Sequence, residues 1–174
     1  NPSDADPRYA AKAAKYQPFE FVAADLVVWL DGRVHPGPGF VEWLVDCLGD
    51  GDQGIYRHWG RTSILAEAEA CLVENPAKYG HAPNVEQARY YLDSGHEDTD
   101  LWQSTFYVMR RNERTLAMGR RWQEEQDRYP DCLLDQIPLP PVIAECGVKV
   151  VDLPGGFWDF HGKLFVLEPH RDGT

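Results

Sequence analysis

Asp31 closes the apolar run Asp25-Leu-Val-Val-Trp-Leu-Asp31 and is followed by Gly32 and Arg33. A carboxylate at the C-terminal end of such a run stands where open α/β sheets bind ligands. Gly32 lets the chain turn sharply and lets a ligand come close to the backbone. Upstream, Arg8, Lys12 and Lys15 follow at spacings of four and three, which puts their charges on one helix face. A basic stripe leading into that strand suits an anionic group such as a pyrophosphate; a solvated helix face is the plainer reading. Six tryptophans belong mostly to the core, but Trp59 and Trp158 are candidates for sugar platforms. Neither a nucleophile elbow nor a Cys–His signature occurs, which argues against a serine or cysteine hydrolase. Cys47, Cys71, Cys132 and Cys146 form no CxxC pair, against a structural zinc site. Free buried thiols are expected, with one disulfide as the alternative.

The elements that must position these residues follow from periodicity and breakers. Residues 8–17 are Ala- and Lys-rich and predict a helix between Pro7 and Pro18. Residues 25–31 predict a strand buried on both faces and central in a sheet. The cluster Val34-His-Pro-Gly-Pro-Gly39 breaks the chain before a short amphipathic helix at 40–48. Residues 55–58 predict a short strand. Helices follow at 62–75, capped by Thr62, and at 84–94, capped by Asn84. An alternating strand at 103–111 precedes a long charged helix at 112–128. A Pro-interrupted, partly helical stretch at 132–146 and a strand at 148–152 complete the series. The tail Gly155-Gly-Phe-Trp-Asp-Phe-His-Gly162 is aromatic and glycine-rich, as a site-lining segment would be.

This order of helices and short strands predicts an α/β fold. At 174 residues, with 43% apolar and 26% charged residues, a single domain with a real core is expected. The formal net charge of −11 disfavours a nucleic-acid partner, which would call for a basic face. No apolar run approaches the roughly 20 residues of a membrane span.

The same residues carry a family resemblance. Asp6-Pro-Arg-Tyr-Ala-Ala-Lys-Ala-Ala-Lys15, Pro18 and Val28-Trp-Leu-Asp-Gly32 resemble the pattern PRxxAKxxKxxP…WxDG. It belongs to a glycosyltransferase-like domain family, formerly of unknown function. Members occur in plant Golgi proteins of mucilage polysaccharide synthesis and in bacterial and viral proteins. His58-Trp-Gly-Arg61 with Glu67-Ala-Glu-Ala-Cys71 resembles HPxR…EAxxC. Gln87, Tyr90 and Gly95 resemble QxxxYxxxG. The strand ending in Arg110-Arg111-Asn112 resembles one ending in RxHN. Trp122 and Asp135-Gln136 resemble W…RDQ. The similarity runs over about residues 6–153.

What the resemblance implies is a GT-A-like mixed sheet flanked by helices, and a soluble domain transferring a sugar from a nucleotide sugar to a hydroxyl of a glycan or other acceptor. It implies Mn²⁺ or Mg²⁺ held by Asp31, with His161 as a further ligand and Asp159 as its neighbouring option. Because the DxD-like motif reads Asp31-Gly32-Arg33, the alternative is that Arg33 meets the diphosphate directly. It implies donor binding by Arg8, Lys12, Arg33, Arg61 and Glu67. Asp135 and Gln136 would stand at the anomeric carbon, which suggests retention of configuration. Family members carry further strands before this pattern, so the chain reads as the C-terminal two-thirds of a larger domain, completed by an N-terminal segment or a partner chain. The compartment would be cytoplasmic in a bacterial or viral setting and the Golgi lumen in a eukaryotic one. Two other readings stay open. One is a glycan- or protein-binding module on a degenerate transferase fold, favoured by Arg33. The other is a metal-dependent hydrolase using Asp31, His161 and Asp135.

Overall fold

The computed structural model describes residues 7–168, with the backbone alone for Pro7, Arg8 and Tyr9. Its centre is a four-stranded sheet in the order β1-β4-β3-β5. These strands are β1 (Leu26–Leu30), β4 (Trp102–Arg110), β3 (Gln53–Arg57) and β5 (Val150–Asp152). β4 is antiparallel to both β1 and β3, and β5 is parallel to β3. The C-terminal ends of β1, β3 and β5 therefore share one edge with the start of β4. The chain has the α/β class expected, with a mixed sheet between helices.

Alternation sorts the strand residues to two cores. Val27, Trp29, Tyr107 and Met109 face one core, which contains Tyr16, Trp122 and Ile143. It is roofed by α1 (Pro7–Tyr16), α6 (Glu113–Arg128) and α7 (Leu139–Cys146). Leu26, Val28, Leu30, Phe106 and Val108 face the other, with Phe40, Leu44 and Phe165. That side is covered by α2 (Phe40–Leu48) and a small antiparallel pair, β2 (Val34–Pro36) and β6 (Phe165–Leu167). A third cluster packs α3 (Ile64–Glu74) on α5 (Asn84–Asp93), with Leu101, Leu134 and Ile137 between them. The short α4 (Pro76–Tyr79) joins these two helices.

The sequence expectation for β1 needs one correction. It is an edge strand of the described sheet, not a central one, and all five of its residues stay partly exposed. Its continuous apolar run reports that both faces are covered, which says nothing of whether both edges are paired. Two caps also differ. Ser63, not Thr62, caps α3, its Oγ accepting from the Ala66 N–H at 2.9 Å. The Asn84 amide oxygen accepts instead from the N–H groups of Leu133 and Leu134. The pair β2–β6 and helix α4 are too short to show a period. All four cysteines are free thiols, with Cys132 the buried one.

Helix α1 is held close to α6 by an absence of side chain. A Cβ at Gly119 would lie 2.5 Å from the Tyr16 carbonyl oxygen. Beside that contact Tyr16 stacks on Trp122, with ring centroids 4.3 Å apart. The Tyr107 hydroxyl donates to the Lys15 carbonyl oxygen. These three contacts fix the last turn of α1 over the carboxyl edge of the sheet. At the opposite edge the buried Asp52 accepts from Arg114 at 2.7 and 2.9 Å and from the Lys149 N–H at 2.8 Å. That carboxylate is fully used in tying α6 to the sheet.

Candidate functional site

Lys15 leaves the last turn of α1 and enters the protein, where only 5% of it remains exposed. Its Nζ lies 2.7 Å from Oδ2 of Asp135 and 3.3 Å from Oδ1 of Asp31. It also donates to Ser104 Oγ at 3.2 Å. The Ser104 hydroxyl in turn donates a hydrogen bond to Asp135 Oδ1 at 3.1 Å. Trp29 Nε1 donates to Asp31 Oδ1 at 3.0 Å, and Trp122 Nε1 donates to the Asp135 carbonyl oxygen at 2.9 Å. An ammonium thus sits between two carboxylates, each oriented by an indole N–H on its side chain or backbone.

The ionisation follows from this arrangement. Burial alone would lower the Lys15 pKa, but the charges of Asp135 and Asp31 outweigh it and raise it. Burial would push Asp135 up, yet the Lys15 and Lys12 ammoniums hold its carboxyl below the usual range. At neutral pH the Lys15–Asp135 pair is therefore charged on both sides.

The triad opens into a cleft of about 330 Å³ at the carboxyl edge of the sheet, lined by Lys12, Arg33, Lys78, Tyr79, Thr105 and Gln136 besides the residues above. Four cationic side chains (Lys12, Lys15, Arg33 and Lys78) face two carboxylates there. The cleft has a positive excess of two within a chain of net −11. Lys12 Nζ donates to Gln126 Oε1 at 2.7 Å and to the Cys132 carbonyl oxygen at 3.1 Å. Arg33 donates from Nη1 to the Glu168 carbonyl oxygen at 3.0 Å.

A second polar cluster adjoins the cleft through Gln136, whose Nε2 donates to Glu67 Oε1 at 3.0 Å. Glu67 is buried and takes Arg61 Nε at 3.1 Å, while Arg61 Nη2 reaches Glu74 at 2.9 Å. His58 Nδ1 accepts the backbone N–H groups of Gly60 and Arg61 at 3.3 and 3.1 Å. The ring proton is therefore on Nε2, which faces Glu67 Oε2 at 3.8 Å. Burial lowers the His58 pKa, ahead of the opposing pull of Glu67. Burial, and then Glu67, push the Cys71 thiol up to about 12, so it is no nucleophile at neutral pH.

Lys12, Asp31, Arg33, Asp135 and Gln136 are thus brought to one cleft from three separate stretches of chain. Arg61 and Glu67 stand beside it and act on it through Gln136. The Arg8 side chain lies outside the described part. Sequence reasoning singled out neither Lys78 nor Ser104 as a site residue. The available signal for Ser104 was a polar residue on the inward face of an alternating strand. Lys78 sits in an element too short to be predicted.

His161 is the main correction. It is exposed, its ring lies against Trp158 and Phe165, and it does not line the cleft of Asp31. Asp159 accepts the Gly156 N–H at 2.8 Å and caps a short turn. The described residues do not fit a divalent cation at Asp31. Its Oδ1 is taken by an ammonium and an indole N–H, and no group of three His, Cys, Asp or Glu side chains gathers among the described residues. A larger groove of about 890 Å³, between α5 and α7, contains none of the candidate residues.

Among the described residues no helix is long and apolar enough to cross a membrane. Comparisons with protein-family models, with curated proteins and with solved structures give no match to this chain.

Proposed function

We propose that the chain is a glycosyltransferase-like domain that binds a nucleotide sugar in the Lys15 cleft and moves the sugar to a hydroxyl acceptor. The observation that carries this reading is the local reversal of charge: a positive cleft in an acidic chain, at the sheet edge where α/β folds bind ligands. A diphosphate suits such a cleft. Lys12, Arg33 and Lys78 line it and can meet phosphate oxygens, Arg33 in a bidentate manner. Positive charge around the departing nucleotide stabilises the transition state without a reorganising solvent.

The carboxylates take fixed electrostatic roles. Both Asp135 oxygens are committed, one to Lys15 and one to Ser104. Asp135 therefore supplies negative field to an oxocarbenium-like sugar and is not itself the attacking atom. Gln136 is oriented by Glu67 and addresses sugar hydroxyls. The opening of the cleft admits the acceptor.

The deciding experiment is a panel of nucleotide sugars, each assayed for release of free nucleoside diphosphate with and without hydroxyl acceptors. Release by the wild type, lost in Asp31→Ala with the fold retained, is expected; equal release by Asp31→Ala would sink the assignment. A second reading is favoured by the full engagement of the triad: a glycan- or nucleotide-binding module without turnover. Binding of a nucleoside diphosphate, with no release from any donor, would select it.

A further inference from the structure

We infer that a second cleft, built on Trp59, is a subsite for a neutral sugar unit of an oligosaccharide. Its role as the acceptor subsite rests on the transferase reading above; the sugar binding itself does not. The cleft measures about 360 Å³ and is lined by Tyr56, Arg57, His58, Trp59, Asp152 and Phe157. It lies at the ends of β3 and β5, on the same sheet edge as the Lys15 cleft.

Trp59 is 65% exposed, so a large indole face meets solvent. It is also held in place. The ring stacks on His58 at 5.9 Å with an interplanar angle of 23°. His58 is itself locked by the two backbone N–H groups its Nδ1 accepts. An exposed aromatic face that already lies on a neighbouring ring loses less entropy than a free one when a ligand covers it. The apolar face of a pyranose ring is a fitting cover.

The charged part of the lining determines the ligand's charge. The Arg57 guanidinium lies over Trp102 at 4.8 Å and pairs with Asp152 at 3.0 Å and with Asp100. Its charge is already balanced, so this cleft lacks the positive excess of the first. Paired guanidinium and carboxylate groups offer donors and acceptors to vicinal hydroxyls, and nothing that favours a phosphate. The two clefts take different ligands: an anion at β1 and β4, a neutral polyol at β3 and β5.

Position links them. The strand order β1-β4-β3-β5 sets the clefts two strand spacings apart, roughly 10 Å. Glu67 connects them physically, touching Gln136 of the first cleft and His58 beside Trp59. An oligosaccharide seated on Trp59 would run toward the donor site.

The test is calorimetric titration of neutral gluco-, xylo-, manno- and galacto-hexasaccharides into wild type, Trp59→Ala and Trp59→Phe, with folding checked by circular dichroism. At least one hexasaccharide should bind the wild type saturably. Trp59→Ala should weaken it about tenfold, and Trp59→Phe, which keeps an aromatic face, less than about threefold. Failure of all four sugars to bind, or equal binding by Trp59→Ala, would overturn the subsite. Nucleoside diphosphate binding is titrated separately. Its absence together with Trp59-dependent sugar binding would count against the transferase reading and leave the subsite standing.

Discussion

Lys15 and Asp135 form a buried ion pair, Nζ to Oδ2 2.7 Å, that joins α1 to the stretch between α6 and α7. It is at once the floor of the candidate site and a tie between two parts of the fold. Breaking a buried pair from one side leaves a charge without compensation, at about 3–5 kcal/mol. Lys15→Met is therefore expected to lose about that much stability in urea denaturation. Combined with Asp135→Asn, it should lose clearly less than the sum of the single variants, because neighbours of this kind couple. Strict additivity would mean that the two side chains do not act as a pair.

The same pair sets a pH dependence with a definite sign. Asp135 titrates lower in the folded protein than unfolded. Its contribution is complete above the ordinary carboxylate value of about 3.9 and is lost as pH falls through the lower folded value. Lys15 titrates higher when folded. Its contribution is complete below about 10.4 and is lost as pH rises through the higher folded value. The stability gap between wild type and Asp135→Asn should be flat across neutral pH and shrink on the acid side. A gap that widens on acidification would contradict the assignment of charge states.

Gly119 offers a test remote from the charges. Alanine is the better helix former by about 1 kcal/mol. Yet its Cβ would meet the Tyr16 carbonyl oxygen at 2.5 Å, and overpacking of this kind costs about 1–3 kcal/mol. Gly119→Ala should lower the melting temperature and, by displacing α1, weaken nucleoside diphosphate binding. A higher melting temperature would show that α1 is not held by this contact.

Glu67 connects the two clefts, and its charge holds Arg61. Glu67→Gln should destabilise by about 1.5–3 kcal/mol, the range for hydrogen bonds to charged groups. It should also slow sugar release by letting Gln136 reorient. Unchanged kinetics would confine Glu67 to a structural role.

The site was legible where charge repeats at helix spacing. Lys12 and Lys15 share a predicted face, and both reach the cleft that holds Asp31. The strand leading to Asp31 was legible as well, because covered faces leave a continuous apolar run. Its place at the sheet edge was not, since edge pairing leaves no mark in a two-sided apolar strand. His161 misled because the aromatic, glycine-rich tail meets a cleft through Gly155, Gly156 and Phe157, whereas the His161 ring lies against Phe165. The reading of Asp31 as a metal ligand overlooked Lys15, whose ammonium reaches that carboxylate from α1. One-dimensional spacing identified the basic face but not the depth to which it would be buried.

The most direct measurement is titration of uridine, guanosine, adenosine and cytidine diphosphates into wild type and into the double variant Arg33→Met/Lys78→Met. Both substituted residues line the cleft outside the buried triad, so the fold should remain. The account predicts that at least one nucleoside diphosphate binds the wild type and binds the double variant at least about tenfold more weakly, a loss of about 1.4 kcal/mol. No binding of any of the four at millimolar concentration, or equal binding by the variant, would contradict it.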